Sequence, residues 1–276
     1  MSELGSGLLM EALAAAGESD VSVAGLSVHA RQRGNGQPVV VLHHSTGPLW
    51  APFHDRLAES CSVIAPDMPG FGQSERPAWA RSPAHLAAVL GQWLDRLDAG
   101  PVHVVGFGLG GWVAAELAVM GGGRLSSLTL VGAAGLRPRE GYIYDPMGES
   151  WTSYARKGFR DDEHFAAVFG EDPAQEVIDL WDYSREMTAR VTWKPWMWSL
   201  PLAQLLKGVR VPGLVVWGDA DAIVPLDCAS QYVEALPDAR LELVAGAGHV
   251  LELEEPDVLA RLIAEFVVST GSSLSE

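Results

Sequence analysis

Gly106-Phe107-Gly108-Leu109-Gly110-Gly111 joins an apolar run, Val102–Val105, to a stretch of helical spacing, Gly111–Met120. A glycine-rich turn between a buried strand and a helix has few meanings. A dinucleotide-binding turn needs G-x-G-x-x-G after the first strand of its unit. Here the glycines run G-x-G-x-G-G, the turn comes late in the strand order, and no acidic ribose partner follows. A P-loop is excluded, because no Lys-Ser/Thr pair closes the turn.

Outward from this turn, strand and helix patterns alternate. Val21–Arg31 alternates like a strand, and Gly34-Asn35-Gly36 supplies a turn. Pro38–Leu42, Cys61–Pro66, Leu128–Val131, Gly213–Trp217 and Leu241–Val244 read as further strands. The continuous apolar runs among them suit burial on both faces. Helical spacing covers Trp50–Glu59, Ser82–Leu97, Cys228–Leu236 and Asp257–Val268, with Ser82 at an N-cap and Pro83 at N1. The alternation predicts a mostly parallel sheet covered on both faces. Strand patterning stops from about Arg137 to Val209. That stretch holds five of the ten tryptophans (Trp151, Trp181, Trp193, Trp196 and Trp198), which either pack an inserted helical lid or line an apolar cavity beneath it.

Composition narrows the function classes. At 48% hydrophobic and 20% charged residues over 276 positions, the chain is globular rather than disordered. Its two cysteines, Cys61 and Cys228, exclude a disulfide scaffold and a multi-cysteine metal site. A formal charge of −16 disfavours nucleic acid or an anionic membrane as partner. No run approaches the roughly 20 apolar residues of a membrane span. The first basic residue is Arg31, so a secretory leader is not expected and the expected location is cytoplasmic. Residues 1–20 read as an alanine-rich helical arm.

Four further motifs stand in a telling order. His43-His44 ends the early strand. Asp67-Met68-Pro69-Gly70-Phe71-Gly72-Gln73-Ser74 follows the next one. Gly218-Asp219-Ala220-Asp221, then Val224-Pro225, and finally Gly248-His249 close the last two strands. With the glycine-rich turn these match, in order, the His-Gly end, the D-x-P-G-x-G-x-S turn, the acid loop and the histidine loop of the α/β-hydrolase superfamily, which the chain resembles from about Val21 to Val268. The turn itself matches the G-x-S-x-G nucleophile elbow, with Gly108 in the serine position. The wording around Val224-Pro225-Leu226-Asp227 looks most like the carbon–carbon bond hydrolases of aromatic degradation.

The resemblance implies an α/β-hydrolase fold: a mostly parallel eight-stranded sheet with helices on both faces and an inserted helical lid. The core would be 21–136 with 209–270, and the lid 137–208. It implies His249 as general base and Asp221 as the carboxylate that orients it, with Asp219 as the other acid within reach. It places the backbone N–H groups of Ser45 and Leu109 at an oxyanion hole. His44, Phe107 and Trp112 are the expected substrate contacts. His44 stands where the family has a glycine. His43 and His103 are expected to be structural. No metal and no cofactor are implied, and the expected partner is a small, largely apolar molecule.

Gly108 has no side chain, so no acyl-enzyme can form there. Glycine suits the strained elbow, so the turn can outlast its chemistry. Four readings stay open. The chain is an enzyme in which the Asp221–His249 dyad activates water or takes an acidic substrate proton. Ser45 or Thr46 supplies the missing hydroxyl. The chain is a non-catalytic binding or scaffold protein. Gly108 replaces a natural nucleophile. Retention of both dyad residues favours the first.

Overall fold

The computed structural model describes residues 17–97 and 99–272. Eight strands form one sheet: β1 (Gly17–Val23), β2 (Leu26–Arg33), β3 (Gln37–Leu42), β4 (Cys61–Pro66), β5 (Val102–Phe107), β6 (Leu125–Val131), β7 (Gly213–Gly218) and β8 (Ala239–Val244), in the order β1-β2-β4-β3-β5-β6-β7-β8. From β4 onward every neighbouring pair is parallel. The β1–β2 and β2–β4 pairs are antiparallel. This is the α/β-hydrolase fold that the motif order implies.

The start of the chain departs from expectation. Val21–Arg31 is not one strand but parts of two, which reverse at Ala24-Gly25. Both turn residues have positive φ, 52° and 76°, as a tight hairpin of this hand requires. An Ala in that position gives little turn signal. Gly17–Asp20, expected in a helical arm, instead pair with His29–Gln32. The rest of the expected arm, 1–16, lies outside the described residues.

Side-chain alternation splits the core across the sheet. Val102 and Val104 of β5 face one layer with α2 (Pro83–Leu94) and α3 (Leu109–Met120). Val105 and Phe107 face the other, with α1 (Pro52–Ala58) and the C-terminal helix α10 (Pro256–Ser272). β7 divides the same way: Val215 and Trp217 on the first face, Leu214 and Val216 on the second. Such strands carry apolar residues at every position, which explains the continuous runs in the sequence. Ser82 does precede Pro83 in extended conformation, but its hydroxyl makes no capping hydrogen bond.

Between β6 and β7 the chain inserts α4 (Trp151–Lys157), α5 (Asp162–Phe169), α6 (Gln175–Thr192) and the short α7 (Leu202–Leu205). Ser150 and Asp161 cap α4 and α5 through side-chain oxygens that accept from backbone N–H groups three residues on. The insertion is tied to the loop after β8. The His249 N–H donates to the Gly158 carbonyl at 2.6 Å, and Arg160 pairs with Glu254 at 3.0 Å and Glu255 at 2.5 Å. The remaining helices are α8 (Leu226–Ala235), which follows β7, and α9 (Leu251–Glu254), which follows β8. The C-terminal ends of the parallel strands therefore converge beneath the inserted helices. In open α/β sheets that edge is where ligands bind.

Candidate active site

The glycine-rich turn takes the backbone of a nucleophile elbow. Gly108 has φ 50° and ψ −111°, a region L side chains rarely adopt. Its N–H donates to Val131 and its carbonyl accepts from Trp112 and Ala134, so the strained turn is pinned from both sides. A Cβ placed on Gly108 would lie 2.6 Å from His44 Nδ1 and 3.1 Å from His249 Nε2. Two imidazoles thus face the position where the resemblance has serine.

His249 follows β8 and Asp221 follows β7. His249 Nδ1 lies 2.8 Å from Asp221 Oδ2, and both side chains are almost wholly buried. The other carboxylate oxygen, Oδ1, accepts from the N–H groups of Ile223 and Val224 at 2.8 and 2.9 Å. Asp221 is therefore fixed independently of the histidine. Asp219 is exposed and accepts from the Gly246 N–H, so it takes no part in this pair. The dyad packs over Gly132, whose φ is 53° and where a Cβ would lie 3.0 Å from His249 Nδ1. Burial works against a charge on His249, but the Asp221 carboxylate and its hydrogen bond, helped by Glu252 and Glu254, outweigh it and raise the pKa.

His44 makes a second pair. Its Nε2 lies 3.2 Å from Glu252 Oε1 and 3.3 Å from Oε2, with both side chains 8% exposed. Glu252 sits in α9, just after His249. Burial opposes its ionisation, yet the His44 ring and its hydrogen bond, with His249 beyond, hold the carboxyl below its usual range. The His44 and His249 ring centroids are 4.8 Å apart.

His43 behaves differently. Its Nδ1 donates to the His44 carbonyl at 2.7 Å, and its Nε2 accepts from the Met68 N–H at 3.0 Å. Both nitrogens are used by backbone, which holds the ring neutral, and burial pushes its pKa down to about 3. His103 is bonded to Ser127 within the sheet.

A cavity of about 50 Å³ lies against the His44 and His249 rings. It is lined by His44, Ser45, Thr46, Phe107, His249 and Glu252 from the core, and by Tyr154, Phe159, Phe169, Leu180 and Trp181 from the insertion. Among the described residues no Lys or Arg lines it. Of the five inserted tryptophans only Trp181 reaches the cavity; Trp151 is buried in packing and Trp193 is exposed. Aromatic lining comes instead from Phe and Tyr.

The other expected residues separate. Phe107 lines the cavity and packs 5.4 Å from the His44 ring. Trp112 does not. One turn into α3, its ring faces Gly135 and its indole N–H donates to buried Glu116 at 3.0 Å. The Ser45 hydroxyl pairs with the Tyr154 phenol at 3.2 Å rather than with either histidine. Leu109 opens α3, where backbone N–H groups have no intrahelical acceptor, whereas the Gly110 N–H donates to the His43 carbonyl. Sequence reasoning passed over Glu252 and Tyr154. The signal for Glu252 was His44 itself: a buried histidine replacing a glycine needs a partner. Among the described residues no cluster of three or more His, Cys, Asp or Glu is arranged to hold a metal. None of their helices is long and apolar enough to cross a membrane.

Comparison with known proteins places the fold in a family. The alpha/beta hydrolase family pattern matches residues 39–262. The chain is 27% identical over 263 residues to a 2-hydroxy-6-oxononadienedioate/2-hydroxy-6-oxononatrienedioate hydrolase of Burkholderia vietnamiensis, covering 88% of this chain and 91% of the relative. It is 28% identical to a 2-hydroxymuconate semialdehyde hydrolase of Pseudomonas putida, covering 92% and 95%. Among solved structures, a mutant meta-cleavage product hydrolase from Pseudomonas fluorescens superposes with a TM-score of 0.78 at 24% identity, covering 91% of this chain and 97% of that one.

Proposed function

Since the chain belongs to the alpha/beta hydrolase family, we propose that it is a hydrolase of small, neutral, largely apolar substrates that works without a covalent serine. The observation that carries this reading is the placement of His249 Nε2 3.1 Å from where a Cβ on Gly108 would stand, with Nδ1 held by Asp221. His249 takes a proton from water, and water rather than a serine attacks the substrate carbonyl. The N–H groups of Leu109 and Ser45 receive the developing oxyanion, and the inserted helices act as a lid that keeps bulk water out. General-base help of about 10²- to 10⁴-fold, and about 10²- to 10³-fold for an oxyanion donor, suffices for an activated ester, a lactone or a vinylogous diketone, but not for an unactivated amide.

Hydrolytic names among the relatives support the reaction class. The cavity lining argues against the dicarboxylate in the name of the Burkholderia relative. An added anion would meet the Glu252 carboxylate and no Lys or Arg, and burying an unpaired charge is costly. The test is turnover of neutral activated esters, lactones and vinylogous diketones by the chain as it stands and by His249→Ala. Turnover that His249→Ala removes is expected. Binding without turnover in both chains would favour a ligand-binding protein of the same fold.

A further inference from the structure

His43 and His44 are neighbours with opposite fates. His43 has both ring nitrogens bonded to backbone, as a structural histidine should. His44 has one nitrogen on Glu252, and its other, Nδ1, has no hydrogen-bond partner among the described residues. That nitrogen points at Gly108. His249 repeats the pattern in mirror fashion: Nδ1 on Asp221, Nε2 at Gly108. Each carboxylate holds its ring in the tautomer that carries N–H toward the carboxylate and leaves the other nitrogen facing the cavity.

We propose that His44, oriented by Glu252, is a second catalytic acid/base facing the same substrate atoms as His249. The inference rests on the hydrolase reading above and names the group that serves the leaving atom. His249 Nε2 takes one proton from water as the water oxygen bonds to the carbonyl carbon. The bond from that carbon to the leaving atom then breaks, and its electron pair goes to the leaving atom. His44, which enters the cycle protonated on both nitrogens with Nε2–H on Glu252, gives that atom the proton of its Nδ1. The proton held by His249 then passes through the site to His44, which restores both rings. One water has been added across one bond, with no external oxidant or reductant. Two separate imidazoles suit a leaving group that needs its proton while the base is still loaded, such as an enolate carbon or an alkoxide. His44 is the catalytic residue; Glu252 is a positioning residue.

The titratable groups that face His44 are Glu252 from α9, His249 from the loop after β8 and the neighbouring His43. The test labels the histidines of the full chain with ¹⁵N and follows their long-range ¹H–¹⁵N spectra from pH 5 to 9. His44 is expected to hold Nε2–H, to titrate at Nδ1, and to change its midpoint when His249→Gln removes the facing ring. An Nδ1–H tautomer at His44, or a ring that takes up no proton across this range, overturns the proposal.

Kinetics separates it from the reading it rests on. With a neutral vinylogous diketone as probe, His44→Gln and Glu252→Gln should each lower kcat about 10²- to 10³-fold, with KM changed less than about threefold, while p-nitrophenyl acetate, whose phenolate leaves without a proton, should lose less than about tenfold. Each should also remove one limb of a bell-shaped pH profile. A dead His249→Gln beside a His44→Gln with normal rate and profile overturns the second dyad and leaves the hydrolase reading standing. Silence in every chain sinks the hydrolase reading, and the tautomer and titration of His44 then decide the dyad by themselves.

Discussion

His44 Nδ1 occupies the space that a side chain at Gly108 would need, at 2.6 Å from the Cβ position. The large residue at 44 and the absent side chain at 108 are complementary in volume. Gly108→Ser by itself therefore does not recreate a working triad. It adds a Cβ at φ 50°, against a ring held by buried Glu252. Positive φ and overpacking each cost about 1–3 kcal/mol, so this variant should lose about 2–6 kcal/mol by urea unfolding. Gly108→Ser with His44→Gly should recover part of that loss and form a covalent adduct with a fluorophosphonate probe. Labelling of the single variant as fast as the double would show that His44 yields freely and that the volumes are not coupled.

Loss of His249 or of its orienting acid should differ in degree. His249→Ala removes the base and should lower kcat by about 10³-fold or more, while Asp221→Asn leaves a ring in the wrong tautomer and should cost about 10²- to 10⁴-fold. In the unaltered chain the rate should rise with pH through a midpoint above 6.5, because the neutral ring is the base and its pKa is raised. Asp221→Asn should move that midpoint down. Equal midpoints in the two chains, read from kcat against pH, would remove Asp221 from the mechanism.

Much of this was legible because each motif reports a local backbone demand. The order of Asp67-Met68-Pro69-Gly70, Asp221 and His249 on strand ends fixed the sheet, since a carboxylate and a histidine on neighbouring parallel strands meet at one edge. Three things were not legible, for physical reasons. The Ala24-Gly25 hairpin puts an Ala, not Asn, Asp or Gly, at its first central position, and β1 is mostly exposed, so its alternation is weak. Trp112 points away from the cavity because helix phase, not closeness in sequence to Gly108, sets its direction. The Glu252–His44 pair spans 208 positions and leaves no local pattern.

Stability should peak near pH 6.5. His43 and His54 have folded pKa values of about 3 and about 4 through burial, against 6.5 when unfolded. Below 6.5 the unfolded chain binds these protons and the folded chain does not, so stability falls as pH falls toward 4, by about 1.4 kcal/mol per unit for each proton. His249 acts in the opposite sense. Its raised folded pKa contributes stability that is complete below 6.5 and is lost as pH rises through the folded value. Urea unfolding across pH 4.5–8.5 should show this maximum, and His43→Asn should flatten the acid side by about one proton. An unchanged acid slope in that variant would mean that His43 titrates normally in the fold.

Ser45 decides whether a hydroxyl can serve as nucleophile in the proposed reaction. Its Oγ pairs with the buried Tyr154 phenol, whose pKa burial pushes up to about 12. A phenol held neutral in this way is a poor base at pH 7, and neither histidine is bonded to Ser45. Its carbonyl accepts from Thr188, which sets the loop, while its own N–H is the group proposed for the oxyanion. Ser45→Ala keeps that N–H and should therefore lower kcat less than about tenfold, with no burst phase in either chain. Ser45→Pro removes the N–H and should cost about 10²- to 10³-fold in kcat, as loss of an oxyanion donor does. A burst of p-nitrophenol that Ser45→Ala abolishes would instead make Ser45 the nucleophile, and the water-based chemistry at Gly108 would have to be abandoned.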